Sequence, residues 1–407
     1  MCRMLIYKGE PISLDALLVR PEHSLVCQSR DATYHPGCGD KRNIRVNGDG
    51  FGVAWYVKGK ENRGACVLKS KGPAWNSSHL INISEFMESS LVFGHVRAAS
   101  DTGTFDEAGV QLSGNNSEGN CHPFKFGVYT FMHNGGIPCF NAVRRKILAC
   151  LTDDIFHMIG GSTDSEHIFS LILNEIEDFS SHASSAKELS NAVLKGFQKL
   201  LELCAEATGG DCPAMSLNIC LTDGVHTIAT RYRNSARQQP PSMYFKTGRD
   251  FDCTSQGEFK AKREGTRSVV LCSEPLTKDP SAWALVPKNH MVVIEGRQGE
   301  NCVKNIDLVD MEELLTVSCR ESRELRFESQ LSQPQQSPCP CPILSRILIE
   351  KSSQSGDGDE DDLCDQQGRI KSSSSPLLAL LASISLFKPR KSDSKNSKER
   401  SMMSSQL

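Results

Sequence analysis

The sequence predicts an α+β domain built from layered sheets and helices, and three observations lead to this prediction. Short apolar runs with the length and composition of strands recur up to residue 272. Two segments instead repeat their apolar residues at helical spacing. The strands outnumber the helices and do not alternate with them regularly, which argues against a doubly wound parallel sheet.

The individual elements follow from local patterns. The predicted strands are FGVAWYV (51–57), LVFGHV (91–96), FGVYTFM (126–132), MSLNICL (215–221) and VVLC (269–272). The first predicted helix has a shared face made of Ile168, Leu171, Ile172 and Ile176. The second predicted helix has a shared face made of Leu189, Val193, Phe197, Leu200 and Cys204.

The composition of the chain changes near residue 316. Residues 2–316 have the pattern of one globular domain, whereas residues 317–407 contain low-complexity and charge-blocked segments that cannot bury enough surface to fold. We therefore expect a catalytic domain followed by a mostly disordered tail. The tail includes one apolar run, PLLALLASISLF (376–387), which is too short to span a bilayer. This run is either incidental or a docking segment for a membrane surface or a partner groove.

Charge and cysteine content argue against several classes of protein. The 407 residues include 46 basic and 49 acidic side chains, so a net charge of −3 gives no electrostatic case for nucleic acid as the main partner. The 17 cysteines form no C-x-x-C pair, which argues against a zinc ribbon or a thioredoxin-type motif. We see no signal peptide and no transmembrane segment, and we expect free thiols in the cytoplasm.

A cysteine directly follows the initiator methionine in the opening stretch MCRMLIYKG. If Met1 is removed, Cys2 carries both a thiol and a free α-amine. The thiolate is the reactive form of a thiol whose ordinary pKa is about 8.5, and an α-amine with a pKa of about 7.7–8.0 is partly unprotonated near neutral pH. One residue could therefore supply both nucleophile and general base. The alternative is that Cys2 is simply the second residue of a strand.

Two motifs in the first quarter of the chain have functional and ordinary interpretations. VNGDGFGVAWY (46–56) places a glycine-rich turn before a strand, where backbone can approach another group closely, although any tight turn could have this composition. FGHVRAAS (93–100) puts Arg97 at a strand end. A guanidinium there could hold a carboxylate through two hydrogen bonds, although a lone arginine is more often a surface charge.

Two later motifs also leave alternatives open. FMHNGGI (131–137) ends a strand with Asn134 followed by Gly135, and a side-chain amide with a neighbouring backbone N–H is what an oxyanion hole requires. An ordinary Asn-Gly turn would look the same. GSTDSEHIF (161–169) is typical of a helix N-terminus that Ser162, Thr163 or Asp164 could cap. Asp164 could instead bind an ammonium group.

Taken together and in order, MCR, NGDGFG, GHVRAAS, NCHPF (120–124), HNGG and STDSE resemble the motifs of the class II glutamine amidotransferases, which are N-terminal nucleophile hydrolases. The resemblance covers roughly residues 2–300 and implies a four-layer αββα sandwich. It implies that Cys2 attacks the γ-carbonyl of a glutamyl group, with its own amine as base and with no metal or organic cofactor. Arg97 would hold the α-carboxylate, Asp164 the α-ammonium, and Asn134 and Gly135 the oxyanion.

Two features depart from the commoner family pattern. Arg3 follows the cysteine where many synthase-type members have glycine, and the arginine motif is HVRAAS rather than HTRYAT. With TRYRNS (230–235) and SEPLT (273–277), these features resemble a smaller subset. That subset includes the Dug-type glutathione-degrading amidotransferase and the bacterial γ-glutamyl hydrolase of ergothioneine synthesis, and PEHSLVCQS (21–29) favours the Dug type.

The resemblance therefore implies a thiol amidohydrolase that cleaves γ-glutamyl amides through a thioester on Cys2. Glutathione, which would give glutamate and cysteinylglycine, is the substrate we expect, with a metallopeptidase-type partner subunit. The low-complexity tail offers no ammonia-consuming domain. One alternative is a glutaminase subunit that delivers ammonia to a separate synthase. Another is a non-catalytic scaffold that retains the fold.

Overall fold

The structure is a computed structural model that describes residues 2–33, 46–98 and 117–315, apart from residues 184, 211, 298–302 and 313. The chain divides into two units, Met1–Leu344 and Ser345–Leu407, and all described residues belong to the first unit. The predicted tail at 317–407 lies outside the described residues, as does its apolar run. No described helix has the length and apolar character needed to cross a membrane.

Within the described residues, thirteen strands form two antiparallel sheets. The first sheet contains β1 (Arg3–Ser13), β2 (Phe51–Trp55), β3 (Cys66–Ser70), β4 (Glu88–Val96), β9 (Tyr244–Cys253), β10 (Phe259–Cys272) and β11 (Ala284–Leu285). Its spatial order is β11-β9-β10-β1-β4-β2-β3. The second sheet contains β5 (Phe124–Phe126), β6 (Tyr129–Gly136), β7 (Ser216–Thr222), β8 (Thr227–Arg231), β12 (His290–Gly296) and β13 (Val303–Asp310). Its order is β13-β12-β8-β7-β6-β5.

Three helices cover the outer face of the first sheet: α1 (Leu14–Leu18), α2 (Leu25–Arg30) and α3 (Ser78–Phe86). Leu5 and Tyr7 of β1 point into this layer and join one apolar cluster with Leu18, Leu25 and Leu80 of the helices. All five side chains are almost completely buried. Because side chains alternate along a strand, the neighbouring residues of β1 face the other way, toward the second sheet.

Four helices form the layer on the second sheet: α4 (Phe140–Ala149), α5 (Asp153–His157), α6 (Asp164–Leu173) and α7 (Ala186–Ala207). Phe131 of β6 stacks on Phe169 of α6, with ring centroids 5.0 Å apart. The five predicted face residues of the second helix are all buried in α7, which confirms that helix. The first predicted face is wrong at Ile176, because α6 ends at Leu173. The side chain of Asn174 there accepts a hydrogen bond from the Thr152 N–H, and Ile176 is buried beyond the helix end.

The inner faces of the two sheets pack against each other. The Tyr56 hydroxyl, just after β2, donates to the Val128 carbonyl at 2.6 Å and lies 2.9 Å from the Thr130 hydroxyl of β6. A Cβ atom on Gly52 would collide with the His122 carbonyl oxygen, so the close approach of β2 to that segment requires glycine. Helices, sheet, sheet and helices thus form four layers, which confirms the predicted α+β, αββα architecture.

Most predicted strands are confirmed within three residues, as β2, β4 and β7, and one as the last part of β10. The run at 126–132 is wrong as a single strand. Gly127, with a φ of 55°, turns the chain between β5 and β6, so the run contains the end of one strand and the start of the next. A positive φ of this kind favours glycine, which is the physical reason for the break.

Candidate active site

Cys2 lies at the start of β1, next to the end of the antiparallel strand β4. Arg3 pairs with Val96 in this ladder, so Cys2 reaches the segment that carries Arg97. The Cys2 thiol is half-buried, and its Sγ atom lies 3.6 Å from the carbonyl oxygen of Ala98. The sequence-predicted nucleophile and carboxylate-binding arginine therefore lie at the same end of the first sheet.

The glycine-rich turn before β2 holds the backbone of Arg97. The Asp49 N–H donates to the Arg97 carbonyl at 3.0 Å, and the Arg97 N–H donates to the Gly50 carbonyl at 2.8 Å. The guanidinium also donates to the Asp49 carbonyl at 3.4 Å, and Arg97 is only 6% exposed. Gly50 has a φ of 118°, and a Cβ atom there would lie 2.6 Å from the Cys121 sulfur. The turn thus needs glycine both for its conformation and for close packing.

Asn134 and Gly135 lie at the end of β6, on the second sheet. The Asn134 side chain is 1% exposed, and neither its oxygen nor its nitrogen has a hydrogen-bond partner among the described residues. Gly135 is exposed, and a Cβ atom on it would collide with the Ser216 carbonyl oxygen of β7. An unpaired buried amide costs about 1–3 kcal/mol, so both polar atoms of this side chain are free to pair with a group that binds beside them.

Asp164 lies beside the segment that follows Gly135. One carboxylate oxygen accepts a hydrogen bond from the Ile137 N–H at 2.9 Å, and the other accepts from the Ser165 N–H at 2.8 Å. Thr163 is the N-cap of α6, because its hydroxyl accepts from the Glu166 N–H at 3.3 Å. Capping is therefore done by Thr163, and Asp164 is the first residue of the helix, partly exposed at its N-terminus.

His95 connects the two parts of the site. It lies opposite Met4 in the β1–β4 ladder, and its Nε2 atom is 3.4 Å from the His133 carbonyl oxygen, next to Asn134. The start of β1 and the end of β6 are thus brought together. Cys2 and Asn134 share no hydrogen bond, since the Asn134 side chain has no partner among the described residues.

The NCHPF segment lines the same region, although sequence reasoning gave its residues no role. Asn120 accepts from the Ser162 N–H at 3.0 Å and donates to its hydroxyl at 3.2 Å, which ties the segment to the loop before Asp164. Cys121 is fully buried. Burial raises the pKa of the Cys121 thiol, although the positive charges of Arg97 and Lys69 act in the opposite direction. A thiol of this kind is not the reactive one.

The His122 ring packs against the His95 ring, with centroids 4.2 Å apart and the planes tilted by 32°. Burial lowers the pKa of His95 to about 3 and lowers the pKa of His122 well below its ordinary value. Both rings are therefore neutral, and they add no positive charge beneath the site. No group of three or more His, Cys, Asp or Glu side chains within the described part of the chain is arranged to hold a metal ion.

Residues 35–316 match the family model of the class II glutamine amidotransferases. The chain belongs to this family. It is therefore an enzyme of the glutamine amidotransferase type. The matched range contains Arg97, Asn134, Gly135 and Asp164 and begins after Cys2.

Similar proteins include one curated sequence and several solved structures. The chain is 37% identical over 314 residues to the probable glutamine amidotransferase DUG3 of Saccharomyces cerevisiae, and this match covers 72% of the chain and 82% of DUG3. A glutamine aminotransferase class-II domain protein from Silicibacter pomeroyi is 20% identical, with a TM-score of 0.48 and coverage of 76% and 98%. Glutamine phosphoribosylpyrophosphate amidotransferase from B. subtilis is 12% identical, with a TM-score of 0.41 and coverage of 76% and 49%.

Proposed function

We propose that the protein is a thiol amidohydrolase that cleaves γ-glutamyl amide bonds with Cys2, once Met1 is removed, as N-terminal nucleophile. The observation that carries the proposal is the buried Asn134 amide, which has no partner among the described residues. His95 lies opposite Met4 of the strand that begins beside Cys2, and it contacts the carbonyl of His133, the residue before Asn134. An amide that the fold leaves unpaired is suited to a negative charge that develops only during the reaction.

Arg97 and Asp164 would hold the head of the glutamyl group. The guanidinium would pair with the α-carboxylate and the Asp164 carboxylate with the α-ammonium. Arg97 is nearly buried and its backbone is fixed by the turn at Asp49 and Gly50, which supports a positioned cation. Two opposite charges that grip the head group would hold the γ-carbonyl against the thiol.

The reaction would follow a thioester route in which Cys2 supplies both nucleophile and base. The α-amine takes the thiol proton as sulfur bonds to the carbon of the γ-carbonyl group, and the carbonyl oxygen becomes an oxyanion that Asn134 and the Gly135 N–H stabilise. The oxyanion then reforms the carbonyl, the C–N bond breaks, and the ammonium of Cys2 returns the proton to the leaving amine. Water attacks the thioester in the same way and releases glutamate and the free thiol.

Glutathione is the substrate that we favour. Its γ-glutamyl group presents the same α-carboxylate and α-ammonium as glutamine, and its leaving amine is cysteinylglycine. Support comes from the motifs shared with the Dug-type subset, together with the 37% identity to the probable glutamine amidotransferase DUG3. We also propose a cytoplasmic location, where the free thiols of the described residues would stay reduced, and a metallopeptidase-type partner that takes up the dipeptide.

The decisive experiment incubates the purified, Met1-free protein with glutathione and, separately, with glutamine, in the presence and absence of the partner. Glutamate, cysteinylglycine and ammonia are measured. We expect glutamate and cysteinylglycine in equal amounts from glutathione. Ammonia from glutamine without glutathione cleavage would support the glutaminase alternative, and turnover of neither substrate would support the scaffold.

Two cysteine variants test the nucleophile. Cys2→Ala should abolish turnover while the melting temperature stays the same. Cys27→Ala, which removes an exposed thiol from α2, should keep full activity. Mass spectrometry of the intact chain checks that Met1 is absent, since a chain that keeps Met1 has no free amine on Cys2.

A further inference from the structure

A buried guanidinium contacts the backbone of Cys2. Arg3 is 3% exposed, and its Nη1 atom donates to the Cys2 carbonyl oxygen at 3.0 Å. Its Nε atom forms an ion pair with Glu274, whose side chain is completely buried. One planar side chain thus connects the carbonyl group of the first mature residue to a carboxylate 271 positions away in the sequence.

Glu274 is itself held by several groups. Its second oxygen accepts hydrogen bonds from His23 at 2.8 Å and from the Thr33 N–H at 3.0 Å. Burial alone would raise the pKa of Glu274, but the His23 hydrogen bond and the Arg3 charge outweigh burial and lower the pKa to about 2. The carboxylate is therefore ionised at every pH at which the enzyme would work.

The residue before Glu274 fixes the neighbouring part of β1. The Ser273 hydroxyl accepts from the Met4 N–H at 2.9 Å, and the Ser273 N–H donates to the Met4 carbonyl at 2.9 Å. Together, Ser273 and Glu274 hold both residues that follow Cys2. These two residues begin the SEPLT stretch, which thus acts at the start of the chain.

A mature N-terminal residue needs such support for a geometric reason. It is joined to the protein by one peptide bond instead of two, so rotation about its Cα–C bond turns both the thiol and the amine. A hydrogen bond to its carbonyl oxygen leaves that rotation possible, but it fixes the plane of the Cys2–Arg3 peptide. It thereby sets the position of the Cys2 Cα atom and the axis about which the thiol and the amine turn. Misplacement of a reacting atom by about 1 Å can cost about 100-fold in rate.

Stability alone is a weak explanation for this pair. Two charges lose their hydration when they are buried, and well-packed apolar residues often stabilise a protein as well or better. The position of the pair, one residue from the nucleophile, favours a functional explanation.

We propose that Arg3 and Glu274 are positioning residues that fix the Cys2–Arg3 peptide plane and so place the Cα atom of Cys2, which carries the thiol and the amine, beside the substrate. This inference rests on the proposed function, because it takes Cys2 as the nucleophile. Arg3 acts through Cys2 and makes no contact with the substrate.

The chain contains a matched control for this arrangement. Arg20 also forms an ion pair through Nε, with Asp15, and it also donates from Nη1 to a backbone carbonyl, that of Cys253. Its Nη2 atom lies 3.5 Å from the hydroxyl of Ser13, which is at the opposite end of β1 from Cys2. Arg20 thus makes the same two kinds of contact as Arg3, with a carboxylate and with a backbone carbonyl, at a place too far from Cys2 to position it.

The test compares Arg3→Lys, Glu274→Gln and Arg20→Lys in the full chain. Lysine keeps the charge but cannot bridge two acceptors in the arginine geometry. We expect Arg3→Lys to lower kcat for glutathione at least 10-fold with KM unchanged within threefold. Glu274→Gln should lower kcat at least fivefold, also with little change in KM. Arg20→Lys should leave kcat within twofold of wild type and should lower the melting temperature less than Arg3→Lys, because the Arg20–Asp15 pair is partly exposed.

A second readout does not depend on the natural substrate. The glutamine analogue 6-diazo-5-oxo-L-norleucine would alkylate Cys2, and mass spectrometry gives the maximal labelling rate and the half-saturating concentration. We expect Arg3→Lys to lower the maximal rate at least 10-fold and leave the half-saturating concentration unchanged. Glu274→Gln is measured in the same way if Arg3→Lys does not fold.

The outcomes separate the two proposals. Folded Arg3 or Glu274 variants with wild-type kcat and labelling rate would overturn the positioning role while Cys2 remained the nucleophile. Absence of any label on Cys2 in the wild-type protein would instead overturn the proposed function. Labelling of Cys2 without cleavage of glutathione would reject only the substrate, and the Arg3 comparison would still decide the positioning role.

Discussion

Asn134 and Asn218 lie directly opposite each other in the β6–β7 pair, yet the fold treats their side chains differently. Asn218 is fully buried, donates to the Pro241 carbonyl at 2.9 Å and accepts from the Tyr232 N–H at 3.2 Å. Asn134 is equally buried and has no partner among the described residues. Burial therefore does not explain the difference, and the proposed role of Asn134 as an oxyanion donor would account for it.

Replacing each asparagine by leucine should have opposite effects. Asn134→Leu should lower kcat by about 100- to 1,000-fold, as expected for a lost oxyanion donor, and should keep or raise the melting temperature. Asn218→Leu should lower the melting temperature, since it removes the buried hydrogen bonds of Asn218 to the Tyr232 N–H and to the Pro241 carbonyl, which keeps its bond from Arg231. Loss of a buried hydrogen bond costs about 1–3 kcal/mol. Steady-state kinetics and thermal melts check both. A strongly destabilised Asn134→Leu with unchanged kcat would show that Asn134 is structural.

Asp164 should act on substrate binding through its charge. In Asp164→Asn, the amide oxygen can still accept the hydrogen bond from Ile137, which ties α6 to the segment after Gly135, while the bond from the neighbouring Ser165 N–H is lost. The loss of the negative charge should raise KM for glutathione at least 10-fold with a smaller change in kcat. Wild type should also discriminate against a glutathione analogue that lacks the α-amino group, and Asp164→Asn should lose this discrimination. Equal discrimination in both proteins would exclude Asp164 as the ammonium ligand.

At the scale of elements, α6 and α7 determine where Asp164 lies. The two helices pack closely at Gly196 of α7, where a Cβ atom would lie 2.8 Å from Cγ1 and 3.1 Å from Cα of Ile172 in α6. Because Cα belongs to the backbone, rotation of a side chain cannot relieve both contacts. Any side chain at position 196 would therefore displace α6, whose first residue is Asp164.

Gly196→Ala should destabilise the protein by up to about 2 kcal/mol. Overpacking costs about 1–3 kcal/mol, and the better helix propensity of alanine offsets about 1 kcal/mol of that cost. KM for glutathione should also rise, since Asp164 moves with α6. Gly160→Ala is the control, because a Cβ atom there would meet nothing within 4 Å. Urea unfolding measures the change, and a stabilised Gly196→Ala would show that α6 and α7 tolerate the extra atom.

At the scale of the whole molecule, the sequence predicted what depends on local pattern. Strand-length apolar runs predicted β2, β4, β7 and the last part of β10, and the apolar spacing predicted α7, because burial on one face imposes a period. The order of the short motifs along the chain predicted the family. In the structure, most of these motifs lie where a strand begins or ends, or where a helix begins. The functional roles of Cys2, Arg97, Asn134, Gly135 and Asp164 and the tail at 317–407 remain predictions.

What the sequence could not predict depends on distant contacts. Nothing local in MCR and SEPLT shows that Arg3 and Glu274 form an ion pair, since 271 positions separate them. The contact between the rings of His95 and His122 likewise requires two segments that meet only in the folded protein. Whether the Asn134 side chain finds a hydrogen-bond partner among the described residues depends on its surroundings in the fold. The local Asn-Gly sequence is the same in either case.

The buried histidines of the domain make its stability depend on pH. Burial is the largest cause of a lowered pKa at His95, His122, His133, His167 and His226. In the unfolded chain each would take up a proton near its ordinary pKa of about 6.5. The unfolded state therefore binds more protons than the folded state below about pH 6.5, and the free energy of unfolding must fall as the pH falls through this range.

Urea unfolding between pH 7 and pH 5 should show this loss, and His122→Gln should reduce its slope by about one proton. His122 suits the test because neither ring nitrogen has a hydrogen-bond partner among the described residues, so the substitution breaks no bond of the ring. His79→Gln, at an exposed position of α3, is the control and should leave the slope unchanged. Carboxylates such as Glu274, with a pKa of about 2, lose their contribution only at lower pH. An unchanged slope in His122→Gln would mean that the folded protein protonates this ring above pH 5.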